Sequence, residues 1–177
     1  MTKSAGQGAG KERSIRDLVT EYGEDVKRLI YSYVKSWSAA EDLVQEVFIT
    51  VFQKMDTLEN ETSAKAWILS IAANKAKDYL RSWHYKKLLF TNTFSSNSKT
   101  ESPEHYLLKQ QQKTELSEAV FALPVKYREV IIFFYYQELK IEEISEILGM
   151  NSSTIRTRLS RARDLLNQKL GGDLNEQ

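Results

Sequence analysis

The chain has 177 residues, 41% of them hydrophobic, a net charge of +1 and no cysteine. Without cysteine there is no disulfide, no thiol nucleophile and no zinc–thiolate site; the near-neutral balance excludes a generally basic nucleic-acid coat, so positive charge must act locally. No apolar run approaches the ~20 residues needed to cross a bilayer, and Met1–Gly10 lacks the apolar stretch of a secretory signal, so residues 1–13 are expected to form a flexible arm on a cytoplasmic protein.

Proline occurs only at 103 and 124, and glycine is absent between Gly23 and Gly149, so long stretches can run as helix. Almost nothing alternates with period two, which argues against strands. The expected fold is therefore all-α: two small helical domains joined by a flexible linker, with a helix-turn-helix in the second. The domains are expected at 14–88 and 103–172, with the linker at 89–102 and a tail at 173–177.

The first helix is expected over 14–36, where Ile15, Leu18, Val19, Tyr22, Val26, Leu29, Ile30 and Val34 follow helical spacing. The second is expected from a cap at Ser38 to about Met55. Its core stripe is Leu43, Val47, Val51 and Met55, with Phe48 and Phe52 as a second apolar row beside it. Asp42, Gln45, Glu46 and Ile49 lie off that stripe, and residues 41–62 hold six acids against one Lys, a net −5. Such a face suits a basic protein partner, although charge alone reads as an ordinary solvated surface.

A third helix is expected from Thr62 or Ser63 to about Tyr85. Ile68, Ile71, Ala72 and Ala76 give it a close-packing side, while Asn74, Lys75, Lys77, Arg81, Lys86 and Lys87 carry amide and charge along the rest. Residues 74–90 hold five bases against one acid, a net +4, with Trp67, Tyr79, Trp83 and Tyr85 interleaved. Basic groups follow a phosphate backbone and rings stack on bases, a combination suited to single-stranded nucleic acid. Trp67, flanked by Ala64, Ala66 and Ile68, reads as core; Trp83 and Tyr85 are the better nucleic-acid candidates.

Residues 91–102 are polar and without period, as a linker should be. Ser102 and Pro103 then offer an N-cap and a first helical residue for a helix to about Leu123, and Pro124 opens the next, through Tyr127, Val130, Ile131, Phe134 and Tyr135. The strongest local signal follows. Ile141, Ile144, Ile147 and Leu148 line one face of a short helix, Gly149 suits a left-handed end, and Asn151, Ser152 and Ser153 offer caps to a second helix. In that helix Ile155, Leu159, Ala162 and Leu166 face inward, and Ser153, Thr157 and Ser160 lie opposite, flanked by Arg156, Arg161 and Arg163. Residues 137–150 carry a net −3, four acids against one Lys, and residues 151–170 a net +4, five bases against one acid. Small hydroxyls let a helix approach base edges, and arginines beside them reach phosphate or guanine. This is how a helix-turn-helix meets DNA.

Four segments in this order resemble bacterial sigma factors of the extracytoplasmic-function group, within the sigma-70 family. They are Ala40-Glu-Asp-Leu-Val-Gln-Glu-Val-Phe48, Ala66-Trp-Ile-Leu-Ser-Ile-Ala-Ala-Asn74 with Asp78-Tyr-Leu-Arg81, Leu123-Pro-Val-Lys-Tyr-Arg-Glu-Val130, and Ile141 to Leu165. The resemblance implies a factor that directs core RNA polymerase to promoters and assists strand opening, without catalysis of its own. Asp42, Leu43, Gln45, Glu46 and Ile49 become contacts to the clamp helices of the largest polymerase subunit. Glu59, Asn60 and Ser63, with Asn74, Lys75, Lys77, Arg81 and Trp83, become contacts to the −10 element. Arg156, Thr157, Arg158, Ser160, Arg161 and Arg163 become contacts to the −35 element. The linker is implied to thread toward the polymerase active site and RNA exit path. Core polymerase (clamp helices and flap), promoter DNA and an anti-sigma factor are the implied partners, with no cofactor, no metal and no membrane insertion. The sequence departs from its relatives at Ala64, where an aromatic is common, at Ser153, where Gly is common, and at Ser160, which is bulkier in some relatives.

The residues alone leave two other readings open. One is a stand-alone regulator using the same helix-turn-helix; the other is an all-helical protein-interaction adaptor. An enzyme is disfavoured, since no phosphate loop, metal cluster or nucleophile–base pair is in view.

Overall fold

The computed structural model describes residues 14–57, 64–91 and 115–171, except for the side chains of 57 and 84–91. All regular structure among them is helical: α1 (Ile15–Val34), α2 (Trp37–Lys54) with a 3-10 turn (Met55–Thr57), α3 (Ala64–Thr91), α4 (Glu115–Ala122), α5 (Val125–Ile131), α6 (Ile141–Leu148) and α7 (Ser152–Lys169). The N-terminal arm, the Ser102–Pro103 cap, residue 172 and the tail at 173–177 lie outside the described residues.

Local chemistry sets most helix ends. Ser14 caps α1 through a reciprocal box: the Asp17 N–H donates to Ser14 Oγ at 3.2 Å and the Ser14 N–H to Asp17 Oδ2 at 3.1 Å. The cap of α2 is Ser36, not Ser38, accepting from the Ala39 N–H at 3.3 Å. Trp37 decides between the two serines, because its ring stacks on Tyr31 of α1 with centroids 3.8 Å apart and pins the start of the helix. α3 runs six residues past the expected Tyr85, over residues that contain no proline or glycine to stop it.

Leu18, Val26, Leu29 and Ile30 of α1 meet Leu43, Val47, Phe48 and Val51 of α2 across Ile68, Leu69, Ala72, Ala73 and Ala76 of α3. The alanines let α3 approach closely. Leu43, expected as a partner contact, lies in the core at 5% exposure. The second apolar row of α2 divides: Phe48 is buried and Phe52 is 64% exposed. Trp67 and Tyr79 pack partly against the core.

In the second module α7 buries Ile155, Leu159, Ala162 and Leu166 against α4, α5 and α6. After α5 the chain widens into a π turn over Ile132–Tyr136, where the Gln137 N–H donates to Ile132 O at 2.9 Å. That turn sends Phe133 fully inward and leaves Tyr135 and Tyr136 exposed. The two modules pack together, α1 against α5 and α3 against α6, and their apolar interiors join in one cluster. Phe121 of α4 meets Tyr31 of α1 edge-on at 5.6 Å, and Lys65 Nζ of α3 donates to Gln137 O at 3.0 Å.

Gly149 ends α6 with φ +63, and a Cβ there would meet nothing within 4 Å. Its role is therefore backbone conformation alone. Gly149→Ala is expected to lower stability by ~1 kcal/mol and Gly149→Asn by less, since Asn tolerates the left-handed region. Denaturant unfolding checks this; an alanine variant as stable as wild type contradicts it.

Candidate nucleic-acid interface

The turn between α6 and α7 forms as its residues dictate. The Gly149 N–H donates to Glu146 O at 3.3 Å and the Met150 N–H to Ser145 O at 3.0 Å, closing α6. Asn151 Oδ1 accepts from the Thr154 N–H and from Ser153 Oγ, each at 2.8 Å, which starts α7. With four apolar residues of α7 buried, Ser153, Arg156, Thr157, Ser160, Arg161 and Arg163 are all exposed. Two of the arginines are steadied by neighbours. Arg156 Nη2 lies 3.6 Å from Glu142 of α6, and Arg163 Nε donates to Tyr135 Oη at 2.9 Å while its guanidinium lies over the Phe134 and Tyr135 rings.

Lys126 and Tyr127, which the sequence reading placed on the helix after Pro124 without a DNA role, stand beside this face. Together with Ser153, Thr154, Thr157, Arg158 and Arg161 they line an open polar recess between the start of α5 and the start of α7. Lys126 Nζ lies 4.9 Å from the Tyr127 ring centroid. Hydrogen bonding to Arg161, and the Lys126 charge, hold the Tyr127 hydroxyl below the usual tyrosine range. Hydroxyls and cations converging on an open recess make a site for a phosphate group. The available signal was a Lys-Tyr pair in the first turn after a helix-opening Pro124, at the same end of the module as the cap of α7.

Arg158 is different. Its Nη1 turns into the module and donates to Glu129 Oε1 at 3.0 Å, and its side chain is only 23% exposed. Glu129, at 3% exposure, also accepts from Tyr33 Oη at 2.7 Å and pairs with Lys77 Nζ at 3.0 Å, both from the first module. Burial is the main reason that the Tyr33 hydroxyl is pushed well above its ordinary value, with the Glu129 charge and hydrogen bond adding to it. Neighbouring Arg128 is also buried and donates to Phe121 O at 2.7 Å and Leu123 O at 3.0 Å. Two expected DNA contacts, Lys77 and Arg158, are therefore engaged with one buried carboxylate in this arrangement, which sets them apart from the exposed candidates. A single acid within the apolar run Val130–Phe133 and its approach was the signal for Glu129.

On the first module, Asp42, Gln45, Glu46 and Ile49 are exposed along α2, and Phe52 extends the same stripe at helical spacing from Gln45 and Ile49. Glu46 Oε2 pairs with Lys75 Nζ at 3.1 Å, so a candidate from each expected surface meets the other. Asn74, Asp78 and Arg81 share an exposed side of α3, where Arg81 pairs with Asp78, and Trp83 is 40% exposed just beyond. Glu59, Asn60 and Ser63, and the side chain of Tyr85, lie outside the described residues. Among the described residues no His, Asp and Glu groups gather as a metal site, and no helix is long and apolar enough to cross a membrane.

Comparison with known proteins gives the same two modules. Residues 18–84 match the family model "Sigma-70 region 2", and residues 113–166 match "Sigma-70, region 4". The chain is 35% identical over 152 residues to the RNA polymerase sigma factor SigV of Bacillus subtilis, covering 86% of this chain and 88% of that one. It is 27% identical over 170 residues to the ECF RNA polymerase sigma factor SigW of the same organism, covering 91% of each. Among solved structures, Bartonella quintana RpoE in complex with the anti-sigma factor NepR shares the fold, with a TM-score of 0.73 at 23% identity over 89% of this chain and 97% of that one. With both conserved regions matched in order and a relative at this level of identity along most of its length, the chain belongs to the extracytoplasmic-function group of the sigma-70 family.

Proposed function

We infer that this sigma factor brings core RNA polymerase to promoters through three surfaces and helps open the DNA between them. The exposed α2 stripe of Asp42, Gln45, Glu46, Ile49 and Phe52 is the polymerase contact, with acids for basic partner groups and apolar side chains to bury. The α3 side carrying Asn74, Lys75, Arg81 and Trp83, with Glu59, Asn60 and Ser63 before it in sequence, takes the −10 element and its displaced strand. The exposed face of α7 reads the −35 element through Thr157, Ser160, Arg156 and Arg161, with Arg163 at its edge and Lys126 and Tyr127 clamping an adjacent phosphate. The observation that carries this reading is the α7 face itself, with small hydroxyls at its centre, arginines at both sides and a cationic recess against it. A stand-alone regulator has no use for an exposed acidic-apolar stripe on a separate module. Opening DNA costs about 1.4 kcal/mol per stacked step, and stacking on an exposed aromatic returns ~1–3 kcal/mol per base, which gives Trp83 its role. We place the protein in the cytoplasm with its polymerase. An anti-sigma inhibitor is the expected further partner, as the Bartonella RpoE structure holds one.

Run-off transcription with purified core polymerase tests the reading. Arg161→Ala and Arg156→Ala are each expected to lower initiation from a promoter with an intact −35 element by roughly 5- to 150-fold, corresponding to ~1–3 kcal/mol per lost base contact. Unchanged initiation contradicts the assignment.

Lys126→Ala is expected to weaken promoter binding by the holoenzyme about equally on all sequences, and to reduce the slope of log affinity against log salt by about one. A change confined to particular sequences contradicts a phosphate role.

Asp42→Lys and Phe52→Ala are each expected to reduce co-purification with core polymerase while leaving the thermal melt near that of wild type, because both positions are exposed. Full retention of polymerase by both variants contradicts the α2 assignment.

A further inference from the structure

We propose that Glu129 is a latch that holds the free chain closed, and that the latch must open before both promoter elements can be engaged. Glu129 sits on α5 at 3% exposure. Its Oε1 takes Arg158 of α7 at 3.0 Å, and its Oε2 takes both Tyr33 of α1 at 2.7 Å and Lys77 of α3 at 3.0 Å. One carboxylate thereby joins the helix assigned to the −35 element, the helix assigned to the −10 element and the main helix of the first module.

The proposal rests on the functional reading above, through a distance. The two elements are named about 25 base pairs apart, which is on the order of 85 Å of B-form DNA at about 3.4 Å per pair. Helices α3 and α7 cannot each lie on its own element while Lys77 and Arg158 share a carboxylate. Engagement therefore requires Tyr33 and Lys77 to leave Glu129, while Arg158, from the same module, stays with it. After separation Arg158 keeps the carboxylate compensated inside the second module, so opening does not strand a buried charge.

Other contacts at the seam set the balance. Lys65 on Gln137 O and Tyr31 on Phe121 favour closure. Lys35 opposes it: burial, and then the Arg128 charge, push its ammonium below the usual lysine range. Closure thus brings two like charges toward each other, and that repulsion works against the polar, aromatic and apolar contacts that join the modules. Such a balance suits a joint that must open.

The absence of cysteine allows a direct test. Gln53→Cys on α2 and Gln168→Cys on α7, both exposed, accept spin labels for distance measurement on the full chain. Wild type is expected to give a dominant short distance. Tyr33→Phe keeps the buried ring and removes only the hydroxyl, and is expected to raise the open-to-closed ratio by ~10-fold, as loss of a hydrogen bond to a charged group does. Lys77→Met is expected to move the same distance distribution in the same direction. Tyr33→Phe, added at limiting concentration, is also expected to associate with core polymerase several-fold faster than wild type. A wild type without the short distance, or two variants with unchanged distributions, overturns the latch; an opened Tyr33→Phe that associates no faster overturns its link to engagement. Wild type that fails to direct initiation defeats the functional reading separately, since the distances are read without polymerase.

Discussion

A carboxylate at 3% exposure is costly to bury unless the protein surrounds it with donors, and the donors around Glu129 come from three different helices. Arg158 ties α7 to α5 and so fixes how the helix-turn-helix sits on its own module. Tyr33 and Lys77 tie that module to α1 and α3. Orientation within the second module and contact between the modules therefore share one side chain, beside the apolar packing that anchors α7 and joins the modules. Breaking a buried pair by deleting one partner costs ~3–5 kcal/mol where nothing else compensates the remaining charge. A carboxylate with three partners can lose the two from one side and keep the third.

The remaining architecture follows from dividing each helix between two tasks. α7 uses Ile155, Leu159, Ala162 and Leu166 to anchor itself, which leaves hydroxyls and arginines facing out. α2 anchors through Leu43, Val47, Phe48 and Val51 and displays acids with Ile49 and Phe52. α3 buries a run of small residues, so it can lie close to α1 and α2 while its long polar side chains remain at the edge. The surfaces proposed for recognition are accordingly single helix faces. In the proposed function, two modest contacts joined through polymerase would act as a bivalent binder, in which the second contact is made at high effective concentration.

What could be read from the sequence was what adjacent residues decide between themselves. Gly149 and Asn151 act on backbone within one turn of helix, and the junction of α6 and α7 took the form they specify. The inner and outer faces of α7 followed from periodicity for the same reason. Periodicity does not say how much of an apolar face a neighbour covers: Phe48 and Phe52 are the same residue four positions apart, and only Phe48 is covered. Nor does it place partners distant along the chain. Tyr33 and Glu129 are 96 positions apart, so the fate of Arg158 and Lys77 could not be seen from their own surroundings. The cap of α2 lay between two serines two residues apart, and stacking of Trp37 on Tyr31 selected Ser36. The π turn after α5 had no signal in residue type, since Ile132–Tyr136 suits an α-helix equally well.

The central claim is that these surfaces choose where transcription begins. Mapping RNA 5′ ends made by purified core polymerase on a randomised promoter library, with and without the chain, tests it most directly. The account predicts that the chain creates start sites enriched for two sequence blocks at a fixed spacing. The same distribution of 5′ ends in both reactions would contradict it.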